Sequence, residues 1–433
     1  MLKYIVTKQL AIITTHPIQY NAPLFKYLAA QELFNIKVFY TWSQASRIVH
    51  DKDFGIDREW DINLLNGYDY TFVDNISTKP GSHHYKGIIN PSLIEEVEQF
   101  KPDAILIYGW KFQSHFKLMR HFHSKVTILF RGDSTLLDEH LGFSLKKFLR
   151  FNFLKWVYSH VDIALSPGKA SDEYFTACGL KKKQIICAPH TVDNDFFSSD
   201  NEQKEQAAKE WRQQLGIPDE HKVFLFAGKL EPKKDPELLI NAFSKLLQKR
   251  QDIHLIIVGS GILESKLKAL VSSISIPIST NITQPITDLR QLTTDKTKLT
   301  SHILRLMSHV YFLPFQNQSL MPIVYRLADV FVLPSKGPGE TWGLAVNEAM
   351  ASGRPVILSN KCGSASELIE EGINGYIFEA GNESSLLQSM ENMLEQDLSL
   401  MGNASKSKID HFNYHTFFEA LNKVAFNSLN PKP

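Results

Sequence analysis

The chain has 433 residues, of which 43% are hydrophobic, 21% are charged and 11% are aromatic. This length allows roughly two to four domains that each bury their own core, so disulfide or metal staples are not needed for folding. Lys and Arg number 47 against 46 Asp and Glu, which gives a formal net charge of +1. Without an excess of positive charge, the chain is not expected to bind nucleic acid, and any anion must be bound by local groups.

The cysteines are few and irregularly spaced. Cys178, Cys187 and Cys362 are an odd number without CxxC spacing, which favours a reducing compartment over a disulfide framework or a zinc ribbon. The apolar segment 10–13 is too short for the core of a signal peptide, and no run of about eighteen apolar residues occurs. We therefore expect a cytoplasmic protein that does not span a membrane.

Short apolar runs alternate with helix-period segments from the start of the chain. The runs that predict buried parallel strands lie at 10–14, 36–40, 104–108, 126–130, 163–166 and 185–188. Helices are predicted between them at 22–30, 91–100, 145–158 and 170–178. This alternation predicts a doubly wound α/β domain.

A polar, highly charged stretch then interrupts the pattern, and we predict an interdomain linker at 198–218. The alternation resumes with strands at 223–227, 254–258, 310–313, 330–333, 356–358 and 376–378. The sequence thus predicts two Rossmann-like domains, 1–197 and 219–405, that face a cleft. A C-terminal helical segment, 406–433, is expected to pack back toward the first domain.

The richest segment is 330–360, where a strand, a glycine-rich loop and a helix beginning near Gly343 succeed one another. Such a turn favours anion binding, because unpaired N–H groups and the positive helix end point at the ligand. Glu340 lies in the loop and Glu348 in the helix, with seven residues between them. Because two carboxylates would repel a phosphate, we expect them to accept hydrogen bonds from sugar hydroxyls. The alternative is that both are solvated acids stabilised by the helix dipole.

A second cluster, AGKLEPKKD at 227–235, directly follows a predicted strand. Lys229 and Lys234 could neutralise a diphosphate without a metal, although lysine runs are commonly solvated. Lys233 is interpreted as solvated. Gly259 and Gly261 form a GxG turn after another strand, which is weak evidence on its own.

Taken together, these segments resemble the family 4 retaining glycosyltransferases, which have the two-domain GT-B architecture. The similarity covers nearly all of 222–381 and is carried by the segments GKLEPKKD, GSG, ADVFVLPS, ETWGLAVNE, EAMASGRPV and GSASELIEEGINGYIF. Two departures stand out: Lys229 replaces the usual Arg, and Asp235 replaces a Gly. The stretch 272–309 is longer than is usual in the family, which predicts an extra element of unknown role.

The resemblance implies roles for the site residues. Lys229 and Lys234 would hold the donor diphosphate, and Glu340 would bind hydroxyls of the transferred sugar. Glu348 would bind the ribose diol. The remaining donor-binding positions would be Gly228, Gly259, Gly261, Gly343 and Leu344.

The first domain is expected to contact the acceptor, but its signals are weaker. The candidates are His16, which follows the first strand, and Arg131 and Asp133, which follow the strand at 126–130. A lone histidine is more often a structural group, and Asp133 could instead cap a helix.

The segment 141–160 predicts an amphipathic helix with basic residues. Leu145, Phe148, Leu149 and Trp156 fall on one helical face, and Lys146, Lys147 and Arg150 fall on another. Core packing is the favoured interpretation, and peripheral contact with the inner face of a membrane is the alternative.

The resemblance implies a nucleoside diphosphate sugar donor, a hydroxyl acceptor on a glycan, glycolipid or small molecule, and retention of anomeric configuration. No cofactor and no metal are expected, since the sequence shows no convincing DxD and no His pair at ligand spacing. A nucleotide-sugar epimerase, a phosphorylase and a non-catalytic nucleotide-sugar-binding protein remain alternatives.

Overall fold

The computed structural model of the protein describes residues 7–45, 49–51, 56–58, 60–139, 142, 144–274 and 308–426. Two α/β units divide these residues. The first comprises those up to 50, 57–193 and those from 411 onward, and the second comprises mainly 194–410. The expected extra element at 272–309 lies almost wholly outside the described residues.

The first unit is built on a seven-stranded parallel sheet. Its strands are β1 Lys8–Thr14, β2 Phe34–Tyr40, β5 Asp69–Phe72, β6 Ala104–Tyr108, β7 Thr127–Arg131, β8 Ile163–Ser166 and β9 Ile185–Cys187. They lie in the order β5-β2-β1-β6-β7-β8-β9. Two short strands, β3 Val49–Asp51 and β4 Ile56–Arg58, pair separately. The helices of this unit are Ala22–Ala30, Leu93–Phe100, Gln113–Phe122, Leu145–Tyr158, Lys169–Ala177 and Tyr414–Phe426.

Both faces of the first sheet are buried by apolar side chains. Successive residues of a strand point to opposite faces, so a central strand contributes to two apolar clusters. Ala11 and Ile13 of β1 pack into one apolar cluster, while Leu10 and Ile12 pack into another. The second cluster includes apolar side chains of the C-terminal helix Tyr414–Phe426, which is therefore part of the core of the first unit.

The second unit has a six-stranded parallel sheet. Its strands are β10 Lys222–Ala227, β11 Ile253–Val258, β12 Val310–Leu313, β13 Val330–Leu333, β14 Val356–Ser359 and β15 Gly375–Phe378. They lie in the order β12-β11-β10-β13-β14-β15. Its helices are Asn194–Ser198, Asn201–Gln214, Pro236–Lys249, Glu264–Ser273, Met321–Arg326, Leu344–Ala351, Ala365–Leu368, Glu383–Leu394 and Leu398–Ile409. Strand order reverses between β10 and β13, and ligands of open α/β sheets bind beyond the carboxyl ends of strands at such a point.

The range 198–218, predicted as a linker, contains the helix Asn201–Gln214, which groups with the second unit. Its Ala, Glu, Gln and Lys residues have high helix propensity, although the segment as a whole contains few apolar residues. The buried guanidinium of Arg326 fixes the helix start, since Nη2 donates to the carbonyl of Phe197 at 2.8 Å and to Oδ1 of Asn201 at 2.9 Å.

The helix Leu145–Tyr158 does not pack as expected. Leu154, Val157 and Tyr158 face the core, whereas Leu145 and Trp156, which were expected to be buried, are exposed. The helix has two apolar stripes, and the sheet covers only one. None of the helices in the described part of the chain combines the length and the hydropathy that a membrane span needs.

Candidate functional site

The candidate site lies at the carboxyl ends of β10 and β13, the point where strand order reverses in the second unit. The chain leaves β10 through Gly228 and Lys229 and forms a short 3-10 helix at Pro232–Lys234. It leaves β13 through Pro334 and Ser335. The topology thus brings together two loops that are about a hundred residues apart in the sequence.

Lys234 and Glu340 form an ion pair between these two loops. Nζ of Lys234 lies 2.5 Å from Oε2 of Glu340, and the hydroxyl of Ser335 donates to the same oxygen at 2.9 Å. The side chain of Lys234 is 16% exposed and that of Glu340 is 8% exposed. An ammonium has three donors, so Lys234 can bind Glu340 and still donate to a ligand. The local sequence of neither loop indicates that these two residues pair.

The two loops are joined by a second set of contacts. The N–H of Lys336 donates to the carbonyl of Lys233 at 2.8 Å, and Nζ of Lys336 donates to Oδ1 of Asp235 at 2.9 Å. Asp235 has φ of +49°, a conformation that Asp tolerates better than most residues. Asp235 stands where the family that the sequence resembles has glycine, and its side chain anchors Lys336. Lys233 is 39% exposed and lies 3.3 Å from Glu231.

The helix Leu344–Ala351 begins directly beside this pair. Gly343 precedes it with φ of +91°, and a Cβ there would lie 2.8 Å from Cδ2 of Leu333 and 2.9 Å from Sγ of Cys362. Glycine is therefore required at this turn. The indole N–H of Trp342 donates to Oδ1 of Asn347 at 2.9 Å, which fixes the loop against the helix. The first amide groups of the helix point its positive end toward the loop, an arrangement that favours an anion.

Glu348 is buried within the same helix. Its carboxylate accepts hydrogen bonds from Oη of Tyr325 at 2.6 Å and from Nε2 of Gln318 at 3.2 Å. Burial raises the pKa of Glu348 to about 7, while both hydrogen bonds act to lower it. Neither Glu340 nor Glu348 is a solvated surface acid. Sequence reasoning missed Tyr325 and Gln318, which precede β13 in a segment without a recognisable motif.

Gly259 and Gly261 allow the loop after β11 to pack against the loop after β10. The N–H of Leu230 donates to the carbonyl of Ser260 at 2.9 Å. A Cβ on Gly259 would lie 2.0 Å from the carbonyl oxygen of Gly228, and one on Gly261 would lie 2.6 Å from that of Leu230. The turn thus supports the position of Lys229 and Lys234 through backbone packing.

We expect Gly259→Ala to lower the free energy of unfolding by roughly 2–4 kcal/mol, because it adds a backbone clash to an unfavourable φ of +135°. Urea unfolding measures this loss. Gly381→Ala is the matched control, since Gly381 also has positive φ but no atom lies within 4 Å of its added Cβ. Equal losses of unfolding free energy in the two variants would show that the close approach of the loops does not affect stability.

The acceptor-side candidates lie at the carboxyl edge of the first sheet. The ring of His16 packs edge-to-face on Trp42, with centroids 5.1 Å apart, and its Nδ1 is 3.0 Å from the hydroxyl of Thr15. Asp133 is half-exposed, and its Oδ2 is 3.9 Å from Nε2 of His190. Contact of either residue with an acceptor stays a prediction.

Arg131 is buried, and its guanidinium is used within the first unit. It donates to the carbonyls of Leu165 at 3.0 Å and Pro189 at 3.1 Å, and it lies 5.3 Å from the ring centre of Phe417. These contacts join β7 to the end of β8 and to the C-terminal helix, which gives Arg131 a structural role. Its contact with an acceptor also stays a prediction.

The family model described as "Glycosyl transferases group 1" matches residues 207–408. The matched range lies within the second unit, which is thus similar to this family. It includes Lys229, Lys234, Glu340 and Glu348 and makes up a little under half of the chain.

Curated proteins and solved structures are also similar to this chain. The glycosyltransferase MJ1607 of Methanocaldococcus jannaschii is 29% identical over 42% of this chain and 38% of its own length. A D-inositol 3-phosphate glycosyltransferase of Mycolicibacterium smegmatis is 24% identical over 53% of this chain and 44% of its own length. The chain thus spans less than half the length of these curated relatives.

Among solved structures, Anabaena HepE in complex with UDP and glucose superposes with a TM-score of 0.63 at 16% identity, over 96% of this chain and 98% of its own. This likeness extends over both units. Together with the two parallel sheets, it confirms the predicted α/β fold of GT-B type.

Proposed function

We propose that the protein is a retaining glycosyltransferase of the family 4 type, which moves a sugar from a nucleoside diphosphate sugar to an acceptor hydroxyl. Its product would be a glycan, a polysaccharide or a glycolipid. The observation that carries this proposal is the ammonium of Lys234, held by Glu340 beside the start of the helix Leu344–Ala351. Fixed positive charge at that point suits a pyrophosphate.

Loss of the nucleoside diphosphate is the step that needs most assistance, because negative charge develops on the leaving oxygen. In the proposed mechanism Lys229 and Lys234 stabilise that charge together with the amide of Leu344. Groups that are already in place cost no reorganisation during the reaction. The acceptor hydroxyl attacks on the face that the leaving group vacates, and an oxygen of the donor phosphate takes its proton.

The two glutamates have separate roles in this proposal. Glu348 lies deeper, and its carboxylate would accept hydrogen bonds from the ribose diol. Glu340 contacts Lys234 and Ser335 through Oε2, which leaves Oε1 as the acceptor for hydroxyls of the transferred sugar. Glu340 would thereby align the sugar with the same ammonium that binds its leaving group.

The donor is tested by incubating the protein with UDP-, GDP- and ADP-glucose and a panel of acceptors. UDP-glucose comes first, because solved structures of HepE contain UDP and UDP-glucose. Inositol phosphate belongs in the acceptor panel because it is named for the M. smegmatis relative. We expect an α-linked donor to give an α-linked product in the NMR spectrum. A β-linked product would contradict retention.

Release of nucleoside diphosphate separates the proposal from its alternatives. A transferase releases it in proportion to acceptor consumed. An epimerase converts the donor sugar without an acceptor and releases none, and a phosphorylase depends on inorganic phosphate. A non-catalytic protein would bind the donor and return it unchanged.

We expect excess EDTA to leave the rate of transfer unchanged. The reason is that Lys229, Lys234 and the helix start supply the positive charge that a metal supplies in other transferases. Initial rates with and without chelator measure this. A rate that falls in EDTA and recovers with Mg²⁺ or Mn²⁺ would show that the lysines do not suffice.

A further inference from the structure

The helix Leu145–Tyr158 presents a row of large apolar side chains to solvent. Five of the twelve large apolar side chains that are exposed in the described part of the chain lie on it, each between 45% and 65% exposed. They are Leu145, Phe148, Leu149, Phe153 and Trp156, and we call them the apolar face. Their spacing of i, i+3, i+4, i+8 and i+11 places them on one side of the helix.

The other side of the helix holds it to the first unit. Leu154, Val157 and Tyr158 are buried in the apolar cluster on that side of the sheet. The outward orientation is therefore fixed by packing and does not depend on the apolar face. Soluble monomers rarely expose a contiguous apolar surface of this kind without using it for interaction.

Positive charge flanks the apolar face. At 100° per residue, Lys146 and Lys155 lie at its two edges, whereas Lys147 and Arg150 lie on the opposite side of the helix, which contains no acidic residue. The guanidinium of Arg120, from the neighbouring helix, lies 5.6 Å from the ring centre of Trp156. Glu139 offsets part of this charge, since it pairs with Arg150 and lies 4.0 Å from Lys147.

The apolar face and the positive charge beside it favour an anionic membrane over a second copy of the chain. Two copies that met through this face around a two-fold axis would bring the flanking lysines of one copy close to those of the other. An isologous contact uses the same patch twice, so these like charges would repel. An anionic bilayer accepts both features, since its phosphates attract the cations and its acyl boundary takes up the apolar side chains.

We propose that the apolar face and its flanking lysines bind the first unit peripherally to an anionic membrane surface. The helix has 14 residues, so it is about 21 Å long. A bilayer core is roughly 30 Å thick, so the helix lies in the plane of the interface. This inference does not depend on the proposed function, and its test contains no donor sugar.

The test is flotation of the full chain with two kinds of vesicle, phosphatidylcholine alone and phosphatidylcholine mixed with phosphatidylglycerol. We expect binding to the mixed vesicles only. The double variant Phe148→Ser/Trp156→Ser should lose at least tenfold in partitioning. Lys146→Gln/Lys155→Gln should lose roughly fivefold for each charge removed. Leu400→Ser, which removes an exposed leucine of the second unit, is the control and should bind normally.

Several outcomes would overturn the proposal. Equal binding of both vesicle types would remove the role of charge, and unchanged binding of the Phe148/Trp156 variant would remove the role of the apolar face. Absence of vesicle binding, with dimerisation that the same variant abolishes, would assign the face to a second copy. All substituted side chains are exposed, and circular dichroism would verify that each variant is folded.

Discussion

Replacing Lys234 by Ala should lower kcat by roughly 10²–10³-fold, the effect of removing one donor that stabilises a developing oxyanion. The reason is that Nζ of Lys234 is held in place by Glu340 before the leaving group departs. The measurement is acceptor-dependent release of nucleoside diphosphate under saturating donor. Lys233→Ala is the matched control, because Lys233 is a neighbouring lysine that is more exposed and pairs with Glu231 instead. We expect it to retain near-normal turnover.

Loss of Lys234 also leaves the buried carboxylate of Glu340 without its cation, so the variant should lose roughly 1–3 kcal/mol of stability. A double variant, Lys234→Ala/Glu340→Gln, compared with Glu340→Gln alone, separates the two effects. The uncharged amide no longer needs a cation, so most of the stability should return while turnover stays well below that of Glu340→Gln. If the double variant and Glu340→Gln turn over equally, Lys234 acts only through folding. If Lys234→Ala transfers sugar at the normal rate, Lys234 has no part in the mechanism.

Replacing Glu348 by Gln should weaken binding of the nucleotide sugar by roughly 10- to 100-fold, because a carboxylate that accepts two hydroxyl hydrogen bonds becomes a neutral amide. Since the pKa of Glu348 is raised to about 7, the affinity of the unmodified protein should increase as pH rises from 6 to 8. The affinity of the variant should not. A nucleotide sugar is the right ligand, because its diphosphate has no ionisation near neutral pH. Isothermal titration calorimetry at several pH values measures both effects.

The same pKa predicts a change in stability with the opposite dependence on pH. Between the ordinary value of 4.5 and about 7, folded Glu348 keeps a proton that the unfolded chain releases. Its contribution to stability therefore falls as pH rises through this window, by about 3 kcal/mol at about 1.4 kcal/mol per pH unit. Glu348→Gln should remove that slope, so its stability relative to the parent protein improves from pH 5 to pH 8. Parallel stability profiles of the parent protein and Glu348→Gln would show that the pKa of Glu348 is not raised. In the binding measurement, unaltered affinity of Glu348→Gln for the nucleotide sugar would refute the assignment of Glu348 to the ribose.

Much of the fold follows from hydrophobic pattern. Continuous apolar runs such as Ala104–Tyr108 and Val330–Leu333 predict strands of the right length, because both faces of a parallel sheet are buried. The pattern does not predict the edge strand Asp69–Phe72, since its side chains are exposed or half-buried and its sequence is partly polar. It predicts a linker where the helix Asn201–Gln214 lies, because a highly charged segment without an apolar stripe lacks the usual periodic signal of a helix.

The candidate site was predictable as a set of residues but not as an arrangement. The order of residues in the motifs places Lys234 and Glu340 at one sheet edge, yet nothing in their local sequence shows that they pair with each other. The partners of Glu348, Tyr325 and Gln318, belong to the segment 314–327, for which the sequence analysis predicts no element and no motif. Similarly, periodicity reveals the apolar stripe of Leu145–Tyr158 but not the side of the helix that the sheet covers. Each of these features depends on tertiary contacts.

A crystal structure of the protein soaked with UDP would show whether the diphosphate binds at the two lysines that follow β10. We expect the diphosphate at the carboxyl ends of β10 and β13, with its oxygens within hydrogen-bond distance of Nζ of Lys229 and Lys234 and of the amide of Leu344. Glu348 should contact the ribose. A diphosphate bound elsewhere, with Lys234 still held only by Glu340, would refute the role proposed for Lys234.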